Sequence, residues 1–187
     1  MAISWSNTLN RSIHKFIIKR KTKDKEQVRE FTGLDKANTI GILYMANKKE
    51  NVEKLVSFSD KIAKKNKNVH LLGLLPNKKL ESLKEEFPEQ RFISQNELSW
   101  YRVPKKLSSS RFIKNEFDIL INMYLKESLP LQYISSLSKA KFRIGHYRKK
   151  NLYCNDFLID LNGAKELDKL IELVEYFISK NKNNEQE

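Results

Sequence analysis

The sequence predicts an α/β protein, a three-layer doubly wound sandwich on a mostly parallel sheet of five or six strands. Short apolar, β-branched runs alternate along the chain with segments whose apolar residues recur at helical spacing. Each run is apolar at consecutive positions, which indicates strands covered on both faces and is typical of parallel sheets. With 187 residues, 40% of them hydrophobic, the chain is long enough for one such domain and too short for two.

The first element is a basic amphipathic helix, predicted over residues 5 to 21. Arg11, Lys15 and Lys19 fall on one side of it. The other side carries its apolar residues, which are Trp5, Leu9, Ile13, Phe16 and Ile17. We assign residues 1 to 37 to this helix and a charged linker.

A single Rossmann-like domain is predicted over residues 38 to 180, and a disordered tail over 181 to 187. Its strands are expected at 38 to 45, 68 to 76, 91 to 94, 117 to 125, 141 to 145 and 156 to 161. Helices are expected at 48 to 66, 78 to 86, 128 to 140 and 164 to 180. Ser128 has the N-cap position of the third of these, with Pro130 in its first turn. Residues 95 to 115 are the least regular part of the chain.

Composition narrows the setting of the protein. The lone cysteine, Cys154, cannot form an intramolecular disulfide. The first ten residues, MAISWSNTLN, lack the charged start and apolar core of a signal peptide, and no run approaches the length of a membrane span. We therefore expect a cytoplasmic protein that is not an integral membrane protein.

Ligands of a doubly wound sheet bind beyond the carboxyl ends of the strands, where the winding direction reverses. Polar residues after the first and fourth strands would line this crevice, namely Asn47, Lys48, Lys49, Tyr124, Lys126 and Ser128. The loop after the first strand, MANKKEN, contains no glycine, so a dinucleotide fingerprint is absent. Asn47 is more simply interpreted as a helix N-cap, although an anion bound at that helix start stays open.

Other chemistry has weaker support. His14, His70 and His146 lack the paired spacing of zinc ligands, and we expect no metal and no cofactor. Cys154 and His146 form a nucleophile and base only if the fold brings them together. Asp118 and Asp160 are better interpreted as structural anchors at strand ends than as a catalytic pair.

The formal charge of +13 is concentrated in three stretches. Residues 11 to 23 hold six Lys or Arg, whereas 102 to 114 and 141 to 150 hold five each, all without an acid. Aromatic or imidazole rings accompany two of the stretches, in SWYRVPKK and FRIGHYRKK. Gly145 is expected to end the fifth strand at a sharp turn, so the cations after it would emerge at a carboxyl end.

Cations interleaved with rings are typical of surfaces that bind looped or single-stranded RNA. The first hypothesis is therefore a non-catalytic nucleic-acid-binding protein that contacts structured RNA or the ribosome. Its contact residues would be Lys19, Arg20, Lys21, Trp100, Tyr101, Arg102, Lys105, Lys106, Arg111, Arg143, His146, Tyr147, Arg148, Lys149 and Lys150. In the plain structural alternative the rings pack the edge of the sandwich and the lysines keep it soluble.

Two further hypotheses stay open. The crevice at Asn47 and Ser128 would bind a small anionic metabolite, a nucleotide or sugar phosphate, as a binding protein or an enzyme. Alternatively, the N-terminal helix would dock on a membrane surface or on a partner protein.

The motifs TIGILYM, FDILINMYL, LSKAKFRIG and NDFLIDL, between a basic N-terminal helix and a final amphipathic one, resemble a family of small uncharacterised α/β proteins from Bacteroidota. That resemblance covers nearly the whole chain and implies the fold and a bacterial cytoplasm, but no activity. SLPLQYISSLSKAKFRIG more weakly resembles the Rossmann-like halves of heptosyltransferase-type glycosyltransferases. Those enzymes need two such halves and this chain has room for one, which argues against transferase activity.

Overall fold

In a computed structural model of the protein, the residues that the structure describes are 3 to 22, 30, 33 to 149 and 152 to 180. Side chains are described for residues 9 to 22, 30, 33 to 105, 109 to 149 and 152 to 179. The predicted tail at 181 to 187 lies outside these residues.

A six-stranded, entirely parallel sheet forms the centre of the molecule, which confirms the predicted α/β class. Its strands are β1 (Thr39–Met45), β2 (Asn68–Leu74), β3 (Arg91–Ile93), β4 (Ile119–Met123), β5 (Phe142–His146) and β6 (Phe157–Ile159). The strand order is β3-β2-β1-β4-β5-β6, so the winding reverses between β1 and β4. This is the order of a doubly wound dinucleotide-binding fold.

Helices cover both faces of the sheet and form two buried apolar clusters with it. The helices are α1 (Ile3–Thr22), α2 (Lys49–Ala63), α3 (Leu83–Glu86), α4 (Lys106–Lys114), α5 (Leu129–Leu137) and α6 (Leu167–Lys180). Short 3₁₀ turns occur at Lys78–Leu80, Gln95–Glu97 and Leu152–Cys154. Apolar side chains of α2, α3 and α6 pack in one cluster, and those of α1, α4 and α5 in the other.

Helix α4 corrects the prediction that residues 95 to 115 are irregular. Its sequence, KLSSSRFIK, contains three consecutive serines, which favour helices weakly and obscure the apolar period. Tertiary packing stabilises the helix instead, because Phe112 is buried and its ring lies 4.7 Å from that of Phe117.

Helix α1 forms as predicted, but a different side of it faces the body. Leu9 and Phe16 are 56% and 67% exposed, whereas His14 and Ile18 are buried. Two polar contacts accompany this rotation of the helix. His14 Nε2 lies 2.8 Å from the Tyr101 carbonyl oxygen, and Arg11 pairs with a carboxylate near α5. The side chain of Trp5 lies outside the described residues.

Asp118 ties three strands together at the amino edge of the sheet. Its Oδ2 accepts hydrogen bonds from the backbone amides of Asn38 and Thr39, at 2.8 and 3.0 Å, next to β1. Its Oδ1 accepts one from Lys141 Nζ, at 2.7 Å, next to β5. Burial alone would raise the pKa of Asp118, but these bonds outweigh it and lower the pKa to about 2. Asp118 is therefore a structural anchor, as the sequence suggested.

We expect Asp118→Asn to lower the free energy of unfolding by about 2 kcal/mol at pH 7, because the native carboxylate is ionised and bonded. A depressed carboxyl pKa stabilises the fold above pH 3.8 and ceases to do so as the pH falls towards 2. Urea unfolding at pH 7 and pH 3 measures the difference, which should be smaller at pH 3. Asp168→Asn, which removes an exposed pair with Lys54, is the control and should cost at most about 1 kcal/mol. An equal cost for both variants would contradict the anchor role.

Protonation of His14 should loosen the contact between α1 and the body. Burial and the nearby Arg102 lower its pKa below 6.5, although backbone hydrogen bonds partly oppose this. The folded state therefore favours the neutral form of His14, and the stability of the fold should decline as the pH falls below 6.5. We expect thermal unfolding between pH 7.5 and 5 to show a smaller loss of stability for His14→Gln than for the wild type. The control is His70→Gln, at a less buried histidine, which should keep the loss of stability that His14 causes between pH 7.5 and 5. If His14→Gln loses as much stability as the wild type over this range, the account is contradicted.

Candidate functional site

In the described part of the chain, two clefts open at the edge of the sheet where the carboxyl ends of the strands meet. The first, the α2–α6 cleft, has a volume of about 840 Å³ and is lined from β1, β4, β5, β6 and the starts of α2 and α6. The second, the α5 cleft, has a volume of about 670 Å³ and lies between α1, β2 and the N-terminus of α5. Both clefts share Met45, Asn47 and Lys126, so they adjoin at the point where the strand order reverses.

Cations outnumber acids in the lining of the α2–α6 cleft. The charged residues that line it are Lys48, Lys54, Lys126, Arg148, Lys165, Asp160, Glu166 and Asp168. Lys54 is paired with Asp168, and Arg148 donates to the Leu125 carbonyl at 2.6 Å. In the part of the chain that the structure describes, the side chains of Lys48, Lys126 and Lys165 have no hydrogen-bond or ion-pair partner. The cleft is therefore attractive to an anion.

The α5 cleft holds three cations and one carboxylate. Arg11, from α1, binds Glu127 through two hydrogen bonds of 2.8 Å, so its charge is neutralised locally. Arg102 and Lys126 are the other two cations of its lining. This leaves a positive potential beside the first turn of α5.

Arg102 is held in an unusual backbone conformation with a φ of 66°. Its Nη1 donates to Gln95 Oε1 at 2.5 Å, and Gln95 Nε2 in turn donates to the Leu75 carbonyl. Burial lowers the pKa of the guanidinium. Within the described residues Arg102 has no carboxylate partner. Its removal from water therefore costs free energy that the hydrogen bond to Gln95 offsets only in part, and a bound anion would offset the rest.

Ser128 takes the N-cap position of α5, as predicted, but its hydroxyl does not cap the helix. The residue is 5% exposed and lines the α5 cleft, and Oγ has no hydrogen-bond partner among the described residues. Pro130, in the first turn, has no N–H to donate. The helix therefore begins with its usual donors unsatisfied.

A buried polar network fixes β4 behind the clefts. Asn122 Nδ2 donates to Ser135 Oγ at 2.9 Å and to Asn155 Oδ1 at 2.6 Å. The same network explains Gly145, which lies inside β5 rather than at a turn as predicted. A side chain at Gly145 would overlap the Asn155 carboxamide. Close packing, not backbone freedom, requires glycine at this position.

The structure places most of the predicted crevice residues at the clefts. Asn47, Lys48, Tyr124, Lys126 and Ser128 line one or both of them. Three details differ from the prediction. Lys49 pairs with Glu86 at 2.7 Å and belongs to neither lining. Lys48, not Asn47, occupies the N-cap of α2. Tyr124 is buried, with its hydroxyl 3.9 Å from Cys154 Sγ.

The three basic stretches do not meet as complete sets. Arg102 reaches the α5 cleft, and His146, Tyr147 and Arg148 line the α2–α6 cleft. Arg143 is instead buried, where it bonds to both carboxylate oxygens of Asp156 at 2.7 and 2.9 Å. Its guanidinium serves the fold and is not available to a phosphate.

Two other proposed contacts are tied to the body. Lys21 Nζ donates to the Tyr133 hydroxyl at 2.6 Å and lies over its ring, and Lys105 Nζ donates to the Asn96 carbonyl at 2.7 Å. Tyr101 is half-buried beside the exposed Trp100. The remaining described contacts are exposed outside the clefts, namely Lys19, Arg20, Arg111 and Lys149. The side chain of Lys106 and the whole of Lys150 lie outside the described residues.

The proposed nucleophile is inert in this arrangement. Cys154 is fully buried, and burial raises the pKa of its thiol to about 11, although the Tyr124 hydroxyl partly opposes this. The residue therefore stays a protonated thiol at neutral pH. No three His, Cys, Asp or Glu side chains in the described ranges are close enough together to bind a metal ion. The clefts therefore offer binding groups, and the buried Cys154 thiol does not act in them as an activated nucleophile.

The sequence analysis missed the contribution of the loop after β6 and that of α1. Lys165 and Gly163, which has a φ of 86°, follow β6 and line the α2–α6 cleft. Their position after a parallel strand was the available signal, since every such loop lies at the carboxyl edge. Arg11 had no comparable signal, because it depends on how α1 docks.

Among the described helices, none combines the length and the apolar character that crossing a membrane requires.

Comparisons with known proteins identify a family without adding a function. Neither the curated proteins nor the solved structures contain a significant match to this chain. One family model, described as a family of unknown function (DUF6913), matches residues 10 to 179, which include α1 from Asn10, the whole sheet and nearly all of α6. The chain therefore belongs to this family of unknown function.

Proposed function

We propose that the protein binds a small anionic metabolite, of the nucleotide or sugar-phosphate class, in the α2–α6 and α5 clefts. The proposal depends on one observation. Where the strand order reverses, adjoining clefts are lined by Lys48, Lys126 and Lys165, whose side chains have no ion-pair partner among the described residues. Positive side chains in a concave site attract and orient an anion.

Two cations at the opposite edge of the sheet have carboxylate partners. There Lys139 Nζ lies 3.1 Å from Glu116 Oε1, and Lys141 Nζ lies 2.7 Å from Asp118 Oδ1. Lys48, Lys126 and Lys165 have no such partner among the described residues, so their charges are available to an anion in the clefts.

The dimensions favour a small molecule. Volumes of about 840 and 670 Å³ fall within the range of metabolite pockets, roughly 300 to 1,000 Å³. Met45, Met123 and Leu125 provide an apolar part of the lining, suited to a base or the face of a sugar. The α2–α6 cleft therefore accommodates the uncharged part of such a ligand.

Two finer parts of the sequence resemblance stay predictions. They are an origin in Bacteroidota and the likeness to one half of a heptosyltransferase-type glycosyltransferase. The second agrees in chemistry with a sugar-nucleotide ligand, but we propose binding only and assign no reaction.

We expect a panel of nucleotides and sugar phosphates to contain members that raise the melting temperature of the protein. Lys126→Ala should weaken the binding of those members about tenfold or more, because it removes a charged donor shared by both clefts. Lys65→Ala, an exposed lysine just after α2 at the other edge, is the matched control and should bind like the wild type. Isothermal titration of each variant measures the affinities. A panel without any stabilising member would contradict the proposal.

A second candidate is the binding of single-stranded RNA across the same edge. Trp100 is 73% and Tyr147 49% exposed, and each stands beside a cation of the clefts, Arg102 or Arg148. Exposed rings next to cations provide stacking sites for unpaired bases. The buried Arg143 and the anchored Lys21 and Lys105 leave this surface fewer free cations than the sequence suggested.

If RNA binds here, the logarithm of affinity should fall with the logarithm of salt concentration, with a slope of about −0.7 for each phosphate contacted. Filter binding with a single-stranded oligonucleotide measures this slope. The double variant Trp100→Ala and Tyr147→Ala should weaken binding about tenfold or more by loss of stacking. Tyr176→Ala, an exposed tyrosine of α6, is the control. A slope near zero would exclude a phosphate-dependent interface.

The outer face of α1 is a separate surface. Leu9 and Phe16 are exposed on it beside Lys15, Lys19 and Arg20. Its docking on a partner protein or a membrane surface stays a prediction.

A further inference from the structure

We propose that a phosphoryl group binds at the N-terminus of α5, where the Ser128 hydroxyl, the first free amides of the helix, Lys126 and Arg102 surround it. The inference rests on the proposed function and specifies which cleft takes the phosphate. It places the anionic end of the metabolite in the α5 cleft and leaves the larger α2–α6 cleft for the remainder of the molecule.

The start of α5 offers donors that nothing in the described chain uses. Ser128 Oγ is buried without a partner, and it makes no bond to the helix that it precedes. Because Gln132 donates to the Ser128 carbonyl and Pro130 lacks an N–H, the amides of Leu129 and Leu131 are the free donors of the first turn. A buried hydroxyl and free amides cost free energy unless an acceptor completes them.

Helix geometry and charge favour an anion as that acceptor. The amino end of a helix carries a partial positive charge, and α5 has nine residues. Lys126 and Arg102 line the same cleft, whereas Arg11 is already bonded to Glu127. Amides, a hydroxyl and two cations without a carboxylate partner among the described residues line one cleft, and they match the several oxygens of a phosphoryl group better than the two of a carboxylate.

The position also fits the topology. Helix α5 follows β4, the first strand beyond the reversal, so its N-terminus lies next to the boundary shared by both clefts. A phosphate there would leave the rest of the ligand free to pass Lys126 and Asn47 into the α2–α6 cleft. The apolar lining around Met45 and Met123 then receives the uncharged part.

Inorganic phosphate and pyrophosphate are the probes, titrated into the ¹⁵N-labelled 187-residue chain. We expect the amide resonances of Leu129 and Leu131 to shift on titration, and Ser128→Ala to weaken phosphate binding about tenfold. Without phosphate, Ser128→Ala should melt no lower than the wild type, because the hydroxyl that it removes is buried and bonds to nothing among the described residues. If Ser128 stabilised the helix as an N-cap, its replacement by alanine would instead lower the melting temperature.

The matched control is Ser136→Ala, which removes another buried, unpartnered hydroxyl from α5 but far from its N-terminus. It should leave phosphate binding unchanged. If phosphorylated metabolites bind but Ser128→Ala and Ser136→Ala behave alike, this inference is overturned while the proposed function stands. If phosphate shifts the α5 amides and no metabolite binds, the proposed function is overturned and the phosphate site remains. If neither phosphate nor pyrophosphate shifts these amides, the site does not exist.

Discussion

The parallel direction of the strands decides at which edge of the sheet the cleft-lining side chains of this protein lie. All six strands run the same way, so the loops that follow them gather at one edge and those that precede them at the other. Asp118 secures the amino edge by bonding β1, β4 and β5. Because the winding reverses between β1 and β4, α2 and α5 diverge to opposite faces and leave the clefts between them open.

The electrostatics follow from this geometry. Lys139 and Lys141 at the amino edge have carboxylate partners, whereas Lys48, Lys126 and Lys165 line a concave surface at the carboxyl edge without an ion-pair partner among the described residues. A lysine in solvent on a convex surface needs no partner, since water and salt screen it. Partly buried Arg102 is different, because burial lowers its pKa and only a neutral amide opposes that cost. The clefts, rather than the total charge of +13, therefore carry the functional information.

The fold was predictable to a greater extent than the site. Consecutive apolar residues in β1 and β4 and the regular stripe of α6 reflect burial directly, so the strands and their parallel arrangement could be inferred. Helix α4 was missed because packing of Phe112, not local propensity, stabilises it. The cleft residues after β1 and β4 were predicted because loops at the carboxyl ends of parallel strands line the ligand crevice of a doubly wound sheet. Which cations are paired with an acid was not predictable from the sequence. Arg143 and Lys149 belong to one basic stretch, but the fold brings Asp156 beside Arg143 and leaves Lys149 exposed.

Helix α1 contacts the residues that directly precede two residues of the candidate phosphate site. Arg11 binds Glu127, which directly precedes Ser128, and His14 contacts the carbonyl of Tyr101, which directly precedes Arg102. Both proposed phosphate ligands on this side are thus adjacent in the chain to residues that α1 contacts. Any ligand that draws Ser128 and Arg102 together would also favour docked α1, because linked equilibria are reciprocal. Helix α1 leaves Leu9 and Phe16 exposed and turns Arg11 and His14 towards the body instead. This orientation fits a coupling between the docking of α1 and the α5 cleft, since the polar contacts of the helix lie next to the residues of that cleft.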